Sequence, residues 1–393
     1  MEASRNAAQV RIGDLAWTFF RVGATSYGGP AIVARIREVC VLEKGWLSGE
    51  EFEETLAFCQ TLPGPIAVQT AAHIGWRKAG NRGLFVTLAS YILPTFLLML
   101  LLSWAYFRFG GVPQVAAAFK GLGAAVVGIV AQAILGMAHS ALKDWKGVAI
   151  ACLAAAALYA GLGALLVLLC SSLLALLLRA GRTAAPLPAR DSTSRERKPA
   201  WPWLLAVALV FAAAAWCSGF INPRFPSLAL VMAKVDLLAF GGGYTAVALM
   251  FDLAVHQQAW LAPKAFVDGL ALSQVTPGPV IVNATFIGYA VGGFGGALIG
   301  TAAVFLPSAL LLALLAPFYA RLIALPITGA LVRGLLAAFI ALLFQVLWRV
   351  ASESLVDLPT ALIATAAFAL LVGKVDPLWI ILGTLALSLI MFV

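Results

Sequence analysis

An apolar run from about Phe52 to Trp76, long enough to cross a bilayer, is interrupted in its middle by Pro63-Gly64-Pro65. Proline in a helix interior removes one hydrogen bond and clashes with the preceding turn. Glycine is the next poorest helix former. A second apolar run carries the same triplet, QVTPGP, at residues 274–279. In lipid, a broken backbone is tolerated only where it is buried in protein or lines a wet cavity. A chain with two such breaks must surround them with other helices.

The lipid setting follows from composition. The chain is 62% hydrophobic and 11% charged, whereas soluble domains carry roughly 25% charged residues. Many apolar runs reach the ~20 residues that a spanning helix needs. Ten-residue alternating strands are missing, which argues against a barrel. The first twelve residues are polar and lead straight into the first run, so no cleavable signal is expected. The net charge of +9 does not imply nucleic acid, because the cations lie mostly in short loops, where they orient helices. Five scattered cysteines form no CxxC pair, the three histidines show no ligand spacing, and no GxxxxGK[ST] occurs. No metal, cofactor or catalytic residue is expected, and the chain does not read as an enzyme.

The chain is written twice. YGGPA at 27–31 matches FGGGY at 240–244, and each follows a basic residue, Arg21 or Lys234. GWLSGEEFEETLAFCQTLPGP (45–65) matches AWLAPKAFVDGLALSQVTPGP (259–279). The register continues through Gly75/Gly288, Pro94/Pro307, Lys120/Arg333 and Asp144/Asp357. Shared leucine content would not align PGP, GG, Trp and charged positions together.

The expected fold is therefore an all-α membrane protein of two homologous helical-bundle halves with broken helices. Segments are expected near 12–36, 52–76, 84–107, 113–138, 147–161 and 163–178, the last two as one tilted helix or a short pair. They repeat near 228–250, 266–290, 296–319, 327–349, 358–372 and 376–393. The first repeat takes residues 1–178, a basic linker 179–202, an unpaired helix 203–221, and the second repeat 222–393. That makes about thirteen segments. The unpaired helix inserts the second half upside down. Arg77, Lys78, Arg82, Lys143 and Lys146 mark first-half loops as cytoplasmic. The N-terminus and linker are then cytoplasmic and the C-terminus periplasmic, in a plasma membrane. Arg35 and Arg37 sit near the outer end of the first segment and fit only if it re-enters.

Inverted repeats with broken helices are the pattern of secondary transporters, whose site lies near the midplane. After each PGP, and after GGP (28–30) and GGG (241–243), a half-helix starts with free N–H groups and a positive dipole end. Such ends suit a small oxyanion. Thr25, Ser26, Tyr27, Gln60, Thr61, Ser273, Gln274, Thr276 and Asn283 are candidate neutral partners. A lone PGP would read as a packing kink; two in register read as a site. Arg21 lies near mid-depth, where a charge costs roughly 2.5–3.5 kcal/mol, so a partner or substrate is implied. Lys234 is shallower and could snorkel; for Lys120 and Arg333, nearer helix ends, snorkelling is the expectation. Glu54, Asp236 and Asp268 are proton-coupling candidates. First-turn acids favour the helix dipole anyway, and an ion pair with Lys234 is the plain alternative for Asp236. GxxxGxxxG at 292–300 reads as close helix packing.

A basic residue, then [YF]GGP or FGGG, then WL and Q-x-x-PGP, all duplicated, resembles the chromate ion transporter family in its long, two-domain form. The resemblance covers nearly the whole chain except the linker and extra helix. It implies chromate export across a bacterial inner membrane, driven by membrane potential or a proton gradient, with sulfate as an isostructural competitor. The motif positions it assigns are Gly28, Gly29, Pro30, Pro63, Gly64, Pro65, Gly241, Gly242, Pro277, Gly278 and Pro279. Gly243 departs from the pattern where the first copy has Pro30, and Tyr27 stands where phenylalanine is usual. The residues alone do not separate chromate from sulfate or molybdate, nor a coupled transporter from an exchanger or a passive anion channel. The implied partners are the oxyanion, the bilayer and, in a homodimer, a second copy.

Overall fold

The protein, seen as a computed structural model, is described over residues 10–27, 29–178, 201–318 and 326–392. Every regular element there is helical. Gly28 and residues 179–200 of the expected linker lie outside the described residues.

The first repeat opens with α1 (Ile12–Thr25) and α2 (Gly29–Arg37), which runs on as a π-helical stretch, Glu38–Glu43. The Phe19 and Trp46 rings have centroids 6.4 Å apart. A straight helix would separate those residues by about 40 Å, at ~1.5 Å per residue. The segment at 12–36 therefore folds back after Ser26 and Tyr27. This fold-back brings Arg35 and Arg37 to the end at which α1 begins.

α3 (Gly49–Thr61) starts at a capping box between Ser48 and Glu51. It ends at the PGP turn, after which α4 (Ile66–Phe109) begins. The sequence predicts one broken crossing over 52–76; the structure has a hairpin. The Arg77 guanidinium meets the Glu51 carboxylate at 2.9 Å, and the Phe58 and His73 rings lie tilted against each other across the turn, centroids 5.0 Å apart. Two prolines flanking a glycine end one helix and start another pointing back, since proline is tolerated at a helix start but not inside it. α4 then turns again at Ala79–Gly80, so its arms 66–78 and 81–109 run antiparallel, with Gly75 packed on Gly83.

α5 (Pro113–Ala141) precedes two short helices, α6 (Trp145–Tyr159) and α7 (Ala164–Leu177). Lys146 Nζ donates to the Leu178 carbonyl at 2.8 Å, so they form an antiparallel pair rather than one tilted helix. The unpaired helix is α8 (Trp201–Cys217).

The second repeat follows the same plan: α9 (Phe225–Leu238), α10 (Gly243–Met250) with a π-helical continuation, α11 (Pro263–Val275), α12 (Asn283–Leu315), α13 (Pro326–Ser354), α14 (Leu358–Val372) and α15 (Pro377–Met391). Gly269 of α11 faces Phe286 and Asn283 of α12, so 266–290 is also a hairpin rather than a single crossing. α12 turns at Gly292–Gly293, with Gly288 on Gly296 and Ala284 on Gly300. The glycine spacing at 292–300 serves this packing, as expected.

Two bundles result. In one, α4 packs against α1 and α12, and α12 against α9. In the other, α5 packs against α13, α14 and α15, and α13 against α6 and α7. Each bundle mixes helices of both repeats. The equivalent helices α5 and α13 run antiparallel. Lys120, near the start of α5, meets Asp357, just past the end of α13, at 2.5 Å; Arg333, near the start of α13, meets Asp144, just past the end of α5, at 3.5 Å. These pairs replace the snorkelling expected of Lys120 and Arg333. The reason is local: each aspartate is fixed as a helix N-cap, accepting from Gly147 N or Thr360 N, and stands within reach of the cation.

Candidate functional site

The breaks in the two repeats meet. Gly64 N donates to the Ala239 carbonyl at 2.7 Å, and Gly278 N donates to the Ser26 carbonyl at 2.8 Å. Each PGP turn is thus bonded to the helix break of the other repeat. Gly64 (φ 108°) and Gly278 (φ 102°) hold a backbone conformation that L side chains rarely adopt. A methyl on Gly278 would also overlap the Thr95 side chain, and one on Gly64 would overlap Gln69 and Ser308. Thr95 and Ser308 are equivalent and each follows a helix proline, Pro94 or Pro307.

Within the second repeat two helix starts lie side by side. A Cβ on Gly243, which opens α10, would lie 4.0 Å from the amide nitrogens of Val280 and Ile281, in the 3-10 turn that leads into α12. Pro277, Gly278 and Pro279 are buried, as are Pro63, Gly64 and Pro65. Gly241 packs on Leu336 of α13, and Gly242 has φ 133°. Gly29 and Pro30 open α2 in the first repeat, and Tyr27 is half-buried just before it.

Several buried polar atoms around the turns have no hydrogen-bond partner among the described residues: Ser26 Oγ, Gln69 Oε1, Tyr91 Oη, Thr95 Oγ1 and Asp236 Oδ1. Asn283, the first residue of α12, has neither side-chain polar atom bonded among them. Buried polar groups are nearly always paired with protein or water, so these atoms are candidates to meet water or a solute.

Other candidates are committed elsewhere. Thr25, Thr61, Ser273 and Thr276 donate to carbonyls of their own helices. Gln274 is buried and its amide donates to the Tyr244 hydroxyl at 3.3 Å, whereas its counterpart Gln60 is exposed. Arg21 and Lys234 are exposed, each five residues before a break, and neither has an ion-pair partner among the described residues. The ion pair considered for Asp236 and Lys234 does not form. Two residues apart on a helix, they face different ways: Asp236 is wholly buried, and its Oδ2 accepts from Ser308 N at 2.7 Å. That amide lies in the turn disturbed by Pro307, which explains a carboxyl at this depth.

Glu54 lies 3.7 Å from Arg77 at one end of the α3 hairpin. Its counterpart Asp268 is buried, accepting from Tyr106 at 2.8 Å and Lys264 at 3.1 Å. Neither touches the turns directly. Thr95, Ser308 and Gln69 escaped the reading of the sequence. Their signal was present, as a hydroxyl directly after each helix proline and an amide four residues after each PGP.

A duplicated membrane protein, helical in every regular element of its described residues, whose helix breaks are bonded across the repeats, is built as a small-solute transporter is built. Comparison with known proteins gives the family. The family model described as "Chromate transporter" matches residues 13–178 and again 226–389. A chromate transport protein of Cupriavidus metallidurans is 32% identical over 96% of this chain and 93% of its own length. An uncharacterized transporter of Methanocaldococcus jannaschii is 31% identical over 94% and 92%. A probable chromate transport protein of Synechococcus elongatus is 29% identical over 89% and 87%. No solved structure gives a significant match. The chain belongs to the chromate transporter family.

Proposed function

We propose that the protein exports chromate from the cytoplasm across a bacterial inner membrane, as a secondary active transporter driven by membrane potential or a proton gradient. The observation that carries this is the reciprocal bonding of the turns, Gly64 to Ala239 and Gly278 to Ser26. It ties broken backbone of each repeat to that of the other, next to buried polar atoms that have no partner among the described residues. Arg21 and Lys234 supply counter-charge from one and a half turns away. Glu54, Asp236 and Asp268 are the groups able to carry a coupling proton, with Asp236 nearest the turns.

The antiparallel run of α5 and α13 supports repeats of inverted topology. Reading α1–α2 and α3–α4 as hairpins supports one cytoplasmic side for Arg11, Arg35, Arg37, Lys44, Arg77, Lys78 and Arg82, with Lys143 and Lys146. The equivalent ends of the second copy are poor in cations, as expected of periplasmic ends. Backbone amides do not tell chromate from sulfate, so sulfate is the natural competitor.

The test is radiolabelled chromate flux in proteoliposomes, with an imposed pH gradient or voltage and excess sulfate. Saturable flux that follows the gradient supports the proposal. Unsaturable, gradient-independent flux would make the protein a passive anion channel, and flux of sulfate alone would reassign its substrate.

A further inference from the structure

The two PGP turns are related by the repeat but differ in chemistry. Many buried helical hydroxyls among the described residues donate to the carbonyl one turn back, although Thr87, on the same helix as Thr95, does not. Thr70, Ser103, Ser172, Thr301 and Ser388 all do so, at 2.6–2.8 Å. Thr95 is fully buried and does not; its hydroxyl is turned toward Gly278 and has no partner among the described residues. Ser26, 5% exposed, gives its carbonyl to Gly278 N, and its hydroxyl also has no partner among them. The Gly278 turn is therefore flanked by two hydroxyl donors unspent on described residues, just before the 3-10 turn that leads into α12.

The Gly64 turn differs: its counterpart hydroxyl, Ser308 Oγ, donates to the Phe305 carbonyl at 3.5 Å. Ala239 stands where Ser26 stands and brings no hydroxyl. Gln69 spends its amide nitrogen on the Pro63 carbonyl. Asp236, bonded to Ser308 N, brings an acidic group to this side. A fully deprotonated tetrahedral oxyanion needs hydrogen-bond donors, and only the Gly278 turn has two hydroxyls not committed to a described residue, so the two turns cannot serve it equally.

We propose that Thr95 and Ser26 are substrate-binding residues, donating their hydroxyls to the oxyanion at the Gly278 turn, and that the Gly64 turn does not bind it. The proposal rests on the transporter reading and assigns the substrate to one of its two turns. Chromate is the probe. Equilibrium binding of radiolabelled chromate to purified protein is measured for wild type, Thr95→Val, Ser26→Ala and Thr95→Ser. Valine keeps the shape of threonine and removes only the hydroxyl, while serine restores it.

Each hydroxyl-deleting variant is expected to weaken chromate binding about tenfold, with Thr95→Ser within about threefold of wild type. Matched size-exclusion profiles exclude misfolding, and Ser26→Ala tests the idea independently if Thr95→Val does not fold. Saturable binding by wild type with unchanged affinity in Thr95→Val and Ser26→Ala overturns this inference alone. A wild-type protein that binds no chromate overturns the transporter reading as well.

Discussion

Gly278 and Ser26 belong to different repeats, yet the amide of one is bonded to the carbonyl of the other at 2.8 Å, and Gly64 repeats the bond with Ala239 at 2.7 Å. A contact that is answered by its own equivalent is the mark of a two-fold relation. Each PGP turn therefore finishes the break of the opposite repeat, and neither repeat can close its own. The backbone donors and acceptors that lipid would leave unsatisfied are exchanged between halves. The same exchange makes the turns one mechanical unit.

Gly278→Ala should break that unit. The position has φ 102°, and the added methyl meets Thr95. Strain of this kind costs about 1–3 kcal/mol. Chromate flux is expected to fall at least tenfold, and the thermal midpoint in detergent to drop by several degrees. Gly278→Ala with wild-type flux and stability would remove the turn from the mechanism.

Arg21→Gln tests the counter-charge. Arg21 is exposed and five residues before the break at Ser26. The variant is expected to reach the membrane in normal amount and to lose chromate binding. Normal transport by Arg21→Gln would sink this role for the cation.

The paired ends of α5 and α13 make a stability prediction. Arg333 and Asp144 are 3.5 Å apart, with side chains 21% and 35% exposed. A pair this accessible is worth about 0.5–1 kcal/mol. Asp144→Ala should cost somewhat more, because it also removes the cap on Gly147 N. The charge-swapped double variant, Asp144→Arg with Arg333→Asp, should regain the pair but not the cap. A double-mutant cycle on thermal unfolding separates the two contributions; zero coupling would make the pair incidental.

Much of this architecture was legible in the residues. The aligned PGP, GG and Trp positions gave the two repeats, and the Gly and Pro clusters gave the places where helices end. What could not be read was direction after a break. An apolar run of 25 residues around PGP is equally consistent with a bent crossing and with a hairpin, because both bury the same side chains. Only contacts such as Arg77 with Glu51 decide it. Long-range pairing was hidden for the same reason. Lys120 and Asp357 are 237 residues apart in the chain, and nothing local announces their bond. Among the site candidates, the turn glycines were found because backbone constraint is written in residue type. Thr95 was missed because a buried threonine on a helix ordinarily satisfies itself.

Acid should weaken the second of these end pairs in a defined direction. The hydrogen bond from Lys120, helped by the Thr360 amide, holds the Asp357 carboxyl below its ordinary range. A native value below the unfolded one, about 3.9, means that the unfolded chain takes up this proton first as pH falls. The contribution is complete above the unfolded value and is lost as pH drops through the lowered native value. Asp357→Asn should therefore be less stable than wild type at about pH 6, and the gap should close toward about pH 3. A gap independent of pH across that window would show that the carboxylate charge is not what matters.

The α1–α2 fold-back gives the last prediction. In a protein without native cysteines, single cysteines are introduced at Ile12 and Leu42, both exposed. If the first segment crossed the membrane, a membrane-impermeant thiol reagent would label them from opposite sides. The contact between Phe19 and Trp46 requires the chain to return toward the end where it entered. Both cysteines should then react from the cytoplasmic side of inverted vesicles, and neither from the outside of intact cells. Labelling of position 42 from outside would replace the hairpin with a crossing. It would also leave Arg35 and Arg37 on the wrong side of the positive-inside rule.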